Sequence, residues 1–408
     1  MREGEARGRR EDAANSMRVL IVHNDYAKPS GEEHAVRAIA GLLTERGHEV
    51  AWFRKSSAGL DSLADRVRAF FSGIYSIAAR SEMAALLDRQ RMDLVQVQNL
   101  YPLISPSVLG LCRKRGLPVV MRCPNYRLFC PTGLHVWRGG ICERCLYERH
   151  WWCVLRNCAD GVMKSTGYAI RSAVASAARM FVSNVDVFIV LSEFQKRRFA
   201  AGGIPEERIA VVPNIVDTAG LPDRSDAGHV VGFVGRLSPE KGVRQFIEAA
   251  RLLREYRFAV AGDISDMPGV ARGAPANVRF LGFLSGGELR EFYANARIIV
   301  VPSLWYEGFP NALGTAMGMG KAVVASRLGA LPEIVDDGTT GLLFEAGRVD
   351  DLAEKIDWLW KRPELCSAMG QAAREKVARE YSPGVCYGRL IRVYEKATRL
   401  AEMRGSRR

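Results

Sequence analysis

Short apolar runs alternate with helix-period segments along this chain, and the alternation starts twice. Residues 18–23 (RVLIVH) suit a strand buried on both faces. A loop with Pro29, Ser30 and Gly31 follows, and residues 35–46 then place apolar side chains at helical spacing and stop at Gly47. Residues 49–53 read as the next strand, which completes a βαβ start. Further strands are expected at 93–97, 118–121, 185–191 and 209–212. The polar stretch DTAGLPDRSDAGH is the best linker in the chain. After it the pattern restarts, with strands at 230–234, 257–261, 278–281, 298–302 and 322–326 and helices between them. Parallel strands joined by helices need cover on both faces. The expectation is α/β, with two Rossmann-like doubly wound parallel-sheet domains facing across a cleft. Residues 1–16 read as a disordered leader, 17–217 as the first domain, 218–229 as the linker and 230–375 as the second. Residues 376–408 read as a helix returning to the first domain, with a basic tail.

A length of 408 residues suits two domains, and 48% hydrophobic with 25% charged residues is a globular composition. No stretch approaches the ~18 consecutive apolar residues of a spanning helix. The first sixteen residues lack the apolar core of a signal peptide, which points to the cytoplasm. The net charge is +13, and residues 101–200 alone carry fifteen basic against five acidic side chains. Such a lobe favours phosphorylated substrates, an anionic membrane surface or nucleic acid, although ordinary solubility charge is the simpler explanation. No recognised nucleic-acid motif accompanies the charge, so nucleic acid is not an expected partner. Residues 60–90 form one amphipathic stretch, either a plain surface helix or one lying on a membrane.

Two loops at expected strand ends carry chemistry. Gly235 and the residues to Gly242 (GRLSPEKG) place Arg236 and Lys241 where a helix opens. Helix-start amides and two cations suit a diphosphate. The run Glu307-Gly308-Phe309-Pro310-Asn311 precedes another helix, with Glu307 able to grip sugar hydroxyls. Either loop alone could be a solvated turn.

Taken in order, VGFVGRLSPEKGV, SLWYEGFPNALGTAMGMGKAVVAS and LPEIVDDGTTGLLF resemble the retaining glycosyltransferases of family 4 (glycosyl transferases group 1), which have the GT-B fold. PSGEEHAVRAIAGLLTERGHEV is similar to that family's N-terminal glycine loop and first helix, and VPNIVD to its domain-end signature. The resemblance implies that Arg236, Lys241 and Glu307 are the catalytic residues, with the two cations on the donor diphosphate and Glu307 on the donor sugar. It implies donor contacts at Gly31, Gly235, Gly308, Phe309, Pro310, Asn311 and Thr315. It implies a nucleotide-sugar donor, UDP- or GDP-linked, a glycan or lipid-linked acceptor, and catalysis without a metal cofactor. A peripheral position at the inner membrane face, in cell-surface polysaccharide or glycolipid synthesis, fits the basic first half.

The chain departs from the family pattern on the donor and the acceptor side. Thr315 stands where the family places a second glutamate for the ribose, and Gln98 where many members have a histidine. Gln98 can orient hydroxyls but cannot act as a general base. Asn99, Tyr126 and Arg127 are the remaining acceptor-side candidates, with Pro124 replacing a common histidine. These departures leave two alternatives: a nucleotide-sugar-binding or scaffold protein with impaired catalysis, and a GT-B-type nucleotide-sugar isomerase. A phosphorylase would need a pyridoxal-phosphate lysine site, and none is evident.

Five cysteines crowd the insert 123–158: Cys130, Cys142, Cys145, Cys153 and Cys158. Cys142-x-x-Cys145 has the spacing of a zinc half-site, which Cys153 and Cys158 could complete, with Cys130, His135 or His150 as alternates. A structural zinc competes here with a reduced-thiol loop and with disulfides.

Overall fold

The computed structural model describes residues 16–26, 31–59, 62–219 and 228–406. The leader up to residue 15, the linker core 220–227 and the last two residues of the basic tail lie outside the described residues.

The first lobe contains β1 (Arg18–Asp25), β2 (Glu49–Ser56), β3 (Leu94–Asn99), β4 (Val119–Arg122), the hairpin pair β5 (Val136–Trp137) and β6 (Gly140–Ile141), β7 (Val187–Val190) and β8 (Ile209–Val211). The second contains β9 (Val230–Val234), β10 (Phe258–Ala261), β11 (Val278–Gly282), β12 (Ala296–Val301), β13 (Ala322–Ser326) and β14 (Leu342–Phe344). Six strands of each lobe pair in parallel, in the orders β2-β1-β3-β4-β7-β8 and β11-β10-β9-β12-β13-β14. This is the two-lobed GT-B architecture that the resemblance implies. The central strands β3, β4, β7, β10 and β13 are buried throughout, as strands covered on both faces must be.

Strand order sets where a ligand can sit. In an open parallel sheet the connections leave in opposite directions at one point and open a crevice beyond the strands' carboxyl ends. That switch lies between β9 and β12 in the second lobe, and between β1 and β3 in the first. The loops bearing Arg236 and Glu307 leave from these strand ends, and Gln98 lies at the end of β3 itself.

The chain crosses between lobes at two neighbouring places. The Val216 amide donates to the Tyr381 carbonyl at 2.9 Å, which holds the outgoing segment against the returning one. Helix Pro363–Glu380 contributes Ala373 and Val377 to the second lobe's core. Helix Pro383–Gly405 instead buries Leu390, Val393, Tyr394 and Ala397 against β1, β3, β4 and β7. The return therefore begins at Ser382 rather than at residue 376. The Tyr394 hydroxyl donates to Gln96 Oε1 at 2.5 Å, and the Tyr387 hydroxyl lies 2.8 Å from His48 Nε2.

The amphipathic stretch 60–90 divides into two helices, Leu63–Ile74 and Ile77–Arg89. Two serines set the break. Ser62 caps the first helix in a reciprocal box with Asp65, and Ser76 caps the second by accepting from the Ala79 amide at 3.2 Å.

Candidate active site

The second lobe builds its half of the site from two loops locked together by a glycine. Gly242 follows one short turn, Pro239–Lys241, and has φ +75°. A Cβ there would lie 1.8 Å from the Pro302 carbonyl oxygen, so only glycine lets the loop press against the end of β12. The Leu304 amide donates to the Glu240 carbonyl at 2.8 Å across the same seam. This packing delivers Lys241 to Glu307: Nζ lies 2.7 Å from Oε1, and Ser303 Oγ donates to the same oxygen at 2.7 Å. Glu307 is 3% exposed, and Lys241 also lies 5.1 Å from the centre of the Trp305 ring. Arg236, at the mouth, is held by Glu240 at 2.5 Å and stays more than half exposed. Gly235 has φ +148° where the chain leaves β9.

The Phe309–Asn311 segment is held from the opposite lobe. Asn214 Nδ2 donates to the Phe309 carbonyl at 2.9 Å and to Asn311 Oδ1 at 2.6 Å. Asn214 Oδ1 in turn accepts from Arg122 at 2.6 Å. Asn311 Nδ2 donates to the Gly31 carbonyl at 3.1 Å. A Cβ on Gly308 would meet Leu191 at 3.2 Å, Gln195 at 3.3 Å and the Pro124 carbonyl at 3.4 Å, so the lobes touch closely here. Pro310 immediately precedes the helix Asn311–Gly318 and ends the loop. Thr315 lies inside that helix, one turn after Ala312, whose carbonyl accepts from the Tyr293 hydroxyl at 3.2 Å.

The first lobe's half differs. A cavity of about 30 Å³ lies beyond β3 and β4, lined by Glu32, Gln98, Asn99, Arg122, Pro124 and Arg127 among others. Gln98 is 2% exposed, and neither end of its amide has a hydrogen-bond partner. Arg122 is equally buried, with Nε and one terminal nitrogen unpaired, and burial pushes it down to about 10. The buried Tyr126 hydroxyl also lacks a partner, while its ring meets His135 at 4.9 Å and Tyr306 at 6.1 Å. Burial raises the Glu32 carboxyl above its ordinary value, against Arg127 and the Tyr26 hydroxyl, which donates to it at 2.9 Å. Arg127 reaches Tyr26 at 3.3 Å and Asn99 Oδ1 at 3.2 Å.

The candidate residues thus gather on two facing walls, with Arg236, Lys241, Glu307 and the Gly308–Asn311 loop opposite Gln98, Asn99, Tyr126 and Arg127. Sequence reading missed Glu32, Arg122, Ser303 and Asn214. Asn214 was legible as the middle of VPNIVD, and Arg122 as a charge ending a buried strand. Nothing in the sequence singles out Ser303.

Two further groups complete the inventory. His23, Asp25 and Glu33 converge at the end of β1, with His23 Nε2 3.4 Å and 4.0 Å from the two carboxylates. Arg54 grips Asp25 at 2.9 Å and the Tyr26 amide donates to Glu33 at 2.8 Å, so this trio reads as a buried polar knot. In the insert 123–158, Cys145 and Cys153 share one small core with Cys158 packed against it, whereas Cys130 belongs to the lobe's main core; all nine cysteines are thiols, and no three of the insert's sulfurs lie within 4.8 Å of one another among the described residues.

Two family models match the halves of the chain, "Glycosyl transferase 4-like domain" over residues 30–215 and "Glycosyl transferases group 1" over residues 228–362. The 2-deoxystreptamine glucosyltransferase of Streptomyces kanamyceticus is 30% identical over 351 residues, which is 81% of this chain and 86% of that protein. The chain belongs to the group 1, family-4-like glycosyltransferases. The alpha-D-kanosaminyltransferase of the same organism is 31% identical over 186 residues, 43% of this chain, and the match spans only about half (47%) of that relative. Among solved structures, Anabaena HepE, determined with UDP and glucose, superimposes with a TM-score of 0.63 over 93% of this chain and 99% of its own, at 17% identity. At that identity the likeness concerns the GT-B fold. The family assignment agrees with the motif resemblance, and the fold agrees with the two-sheet expectation.

Proposed function

We propose that this protein is a retaining glycosyltransferase that moves a sugar from a nucleotide-diphosphate sugar to a glycan or lipid-linked acceptor. The observation that carries the reading is the Lys241–Glu307 pair at the second lobe's switch point, two residues before the Phe309–Asn311 segment that Asn214 and Arg122 of the first lobe hold. As the bond from sugar to diphosphate breaks, the departing nucleotide gains negative charge. Arg236 and Lys241 face that charge, and fixed cations are worth most where the charge develops. Glu307, oriented by Lys241 and Ser303, is placed to hold donor hydroxyls. The acceptor hydroxyl's proton passes to the leaving phosphate, so Gln98 need not serve as a base. HepE binds UDP, which favours a UDP-sugar here, with a GDP-sugar as the alternative.

A peripheral membrane position is part of the same proposal. No helix among the described residues is long and apolar enough to cross a membrane. Helix Val162–Ala177 packs against both Leu63–Ile74 and Trp151–Leu155, and this trio exposes Phe71, Trp151, Leu155 and Met163 near Arg68, Arg149 and Lys164. Exposed apolar residues mixed with cations suit an anionic interface.

The test is nucleotide release from a panel of UDP- and GDP-sugars, with and without membrane lipid extract. The expected outcome is release from one donor, abolished in Lys241→Ala. Donor binding without turnover under every condition would instead favour a nucleotide-sugar-binding scaffold.

A further inference from the structure

Four residues from distant parts of the chain join the lobes by hydrogen bonds. Arg122 ends β4, and Asn214 lies on the outgoing segment just before Val216. Asn311 opens the helix Asn311–Gly318 of the second lobe, and Gly31 opens the helix Gly31–Glu45 of the first. What each amide meets fixes its orientation. A guanidinium can only donate, so the Asn214 atom that Arg122 reaches at 2.6 Å must be Oδ1. A carbonyl can only accept, so the Asn214 atom 2.9 Å from the Phe309 oxygen must be Nδ2. The same nitrogen donates to Asn311 Oδ1 at 2.6 Å, which leaves Asn311 Nδ2 to face the Gly31 carbonyl at 3.1 Å. A leucine at position 214 would offer neither role, and an ionised aspartate no donor.

The path starts at a group that is itself barely held. Arg122 is 1% exposed, its side chain makes one hydrogen bond, to Asn214, and it has no ion pair among the described residues. Its Nε and one terminal nitrogen stay unpaired, and it lines the first lobe's cavity together with Gln98 and Glu32. Glu32 follows Gly31, so both ends of the path return to one cavity. Replacing a buried charge by an apolar side chain of similar volume is often neutral or stabilising. Fold stability alone therefore does not account for a guanidinium here. Its single bond orients Asn214, and Asn214 holds the segment that ends the Glu307 loop.

We propose that Arg122 and Asn214 are positioning residues for the donor. From the wall of the first lobe's cavity, Arg122 orients the Asn214 amide, and Asn214 sets the Phe309–Asn311 segment of the second lobe. The inference rests on the sugar-transfer reading, which gives that segment its donor.

The experiment is amide hydrogen exchange on the full-length protein without nucleotide, in the wild type, Arg122→Met, Asn214→Asp and the double variant. Methionine removes the guanidinium donors and keeps an unbranched side chain in the cavity wall. Aspartate keeps the shape of Asn214 and its acceptor for Arg122 but sets an oxygen against the Phe309 carbonyl. Exchange across residues 305–318 is expected to rise by about fivefold or more in each single variant, with β13 unchanged. The double variant is expected to rise no further, because the two residues act in one path. In the nucleotide-release assay the donor KM is expected to rise about tenfold in both variants, by more than kcat falls. Unchanged exchange at 305–318 in Arg122→Met overturns the proposal. So does a rise shared by both lobes, which marks a residue that only holds the fold, and so does an additive double variant. The exchange readout uses no donor. A localised rise in a protein that releases nucleotide from no sugar would sink the sugar-transfer reading and not the coupling of Arg122 to the loop.

Discussion

The two walls of the cleft pair their polar side chains to different extents. On the second lobe's wall Glu307 is met by Lys241 and Ser303, Arg236 by Glu240, and the loops are clamped by a glycine that admits no side chain. On the first lobe's wall the amide of Gln98, the hydroxyl of Tyr126 and one edge of Arg122 are buried without partners. An unpaired buried polar group costs about 1–3 kcal/mol, so water or a ligand in the adjoining cavity of about 30 Å³ would stabilise these groups. The second wall also leaves the Ser238 hydroxyl and the Trp305 indole N–H unpaired, so the walls differ in degree: its charged groups are paired, while the first wall leaves a whole amide and a guanidinium edge unmet. This difference also explains why the motifs are compact on one side and scattered on the other.

The largest expected effect breaks the second lobe's wall. Lys241→Ala removes a cation aimed at the developing charge and should lower turnover by about 10²–10³, as single transition-state contacts do. Initial rates of nucleotide release measure it, and a loss under threefold would remove Lys241 from the chemistry. Next is Gly242→Ala, where the new Cβ meets the Pro302 carbonyl at a backbone conformation unsuited to side chains. Unfolding free energy should fall by more than about 2 kcal/mol in urea titration.

The first lobe's wall should respond in the other direction. Gln98→Leu removes an unpaired amide, so stability should hold or rise by up to about 1 kcal/mol while acceptor KM rises about tenfold. A clear loss of stability would show that Gln98 is a structural residue. The smallest effect is on pH. Burial raises Glu32 above its unfolded value, so the folded state keeps this proton after the unfolded chain has lost it. Stability contributed here is present below the ordinary glutamate pKa and is lost as pH rises from there through the raised value. Glu32→Gln should flatten that limb of the stability–pH curve, measured by urea unfolding between about pH 4 and 7. An unchanged slope would place the Glu32 carboxyl in water.

Most of the fold was legible because buried parallel strands write themselves as apolar runs. Strands at 230–234 and 322–326 match their expected bounds. The single amphipathic stretch at 60–90 failed because Ser76 fits a helical surface pattern and acts as a cap only once Ile77–Arg89 turns away. The candidate donor residues were legible because they lie close together in two loops. Glu32 was not, since it sits in the first turn of a helix, where acidic residues are common for electrostatic reasons alone.

The sequence by itself determined two doubly wound sheets, the loops that bear Arg236, Lys241 and Glu307, and the crowding of cysteines in one insert. Each follows from periodicity or from residues near one another along the chain. Tertiary structure decided which distant groups meet: Lys241 with Glu307, and Asn214 with both Arg122 and Asn311. Strand order, which periodicity does not encode, put β9 beside β12 and so made one wall from loops 66 residues apart. It also buried the Gln98 amide without a partner and Arg122 with its Nε and one terminal nitrogen unpaired, because burial is a property of packing between elements and not of any one of them.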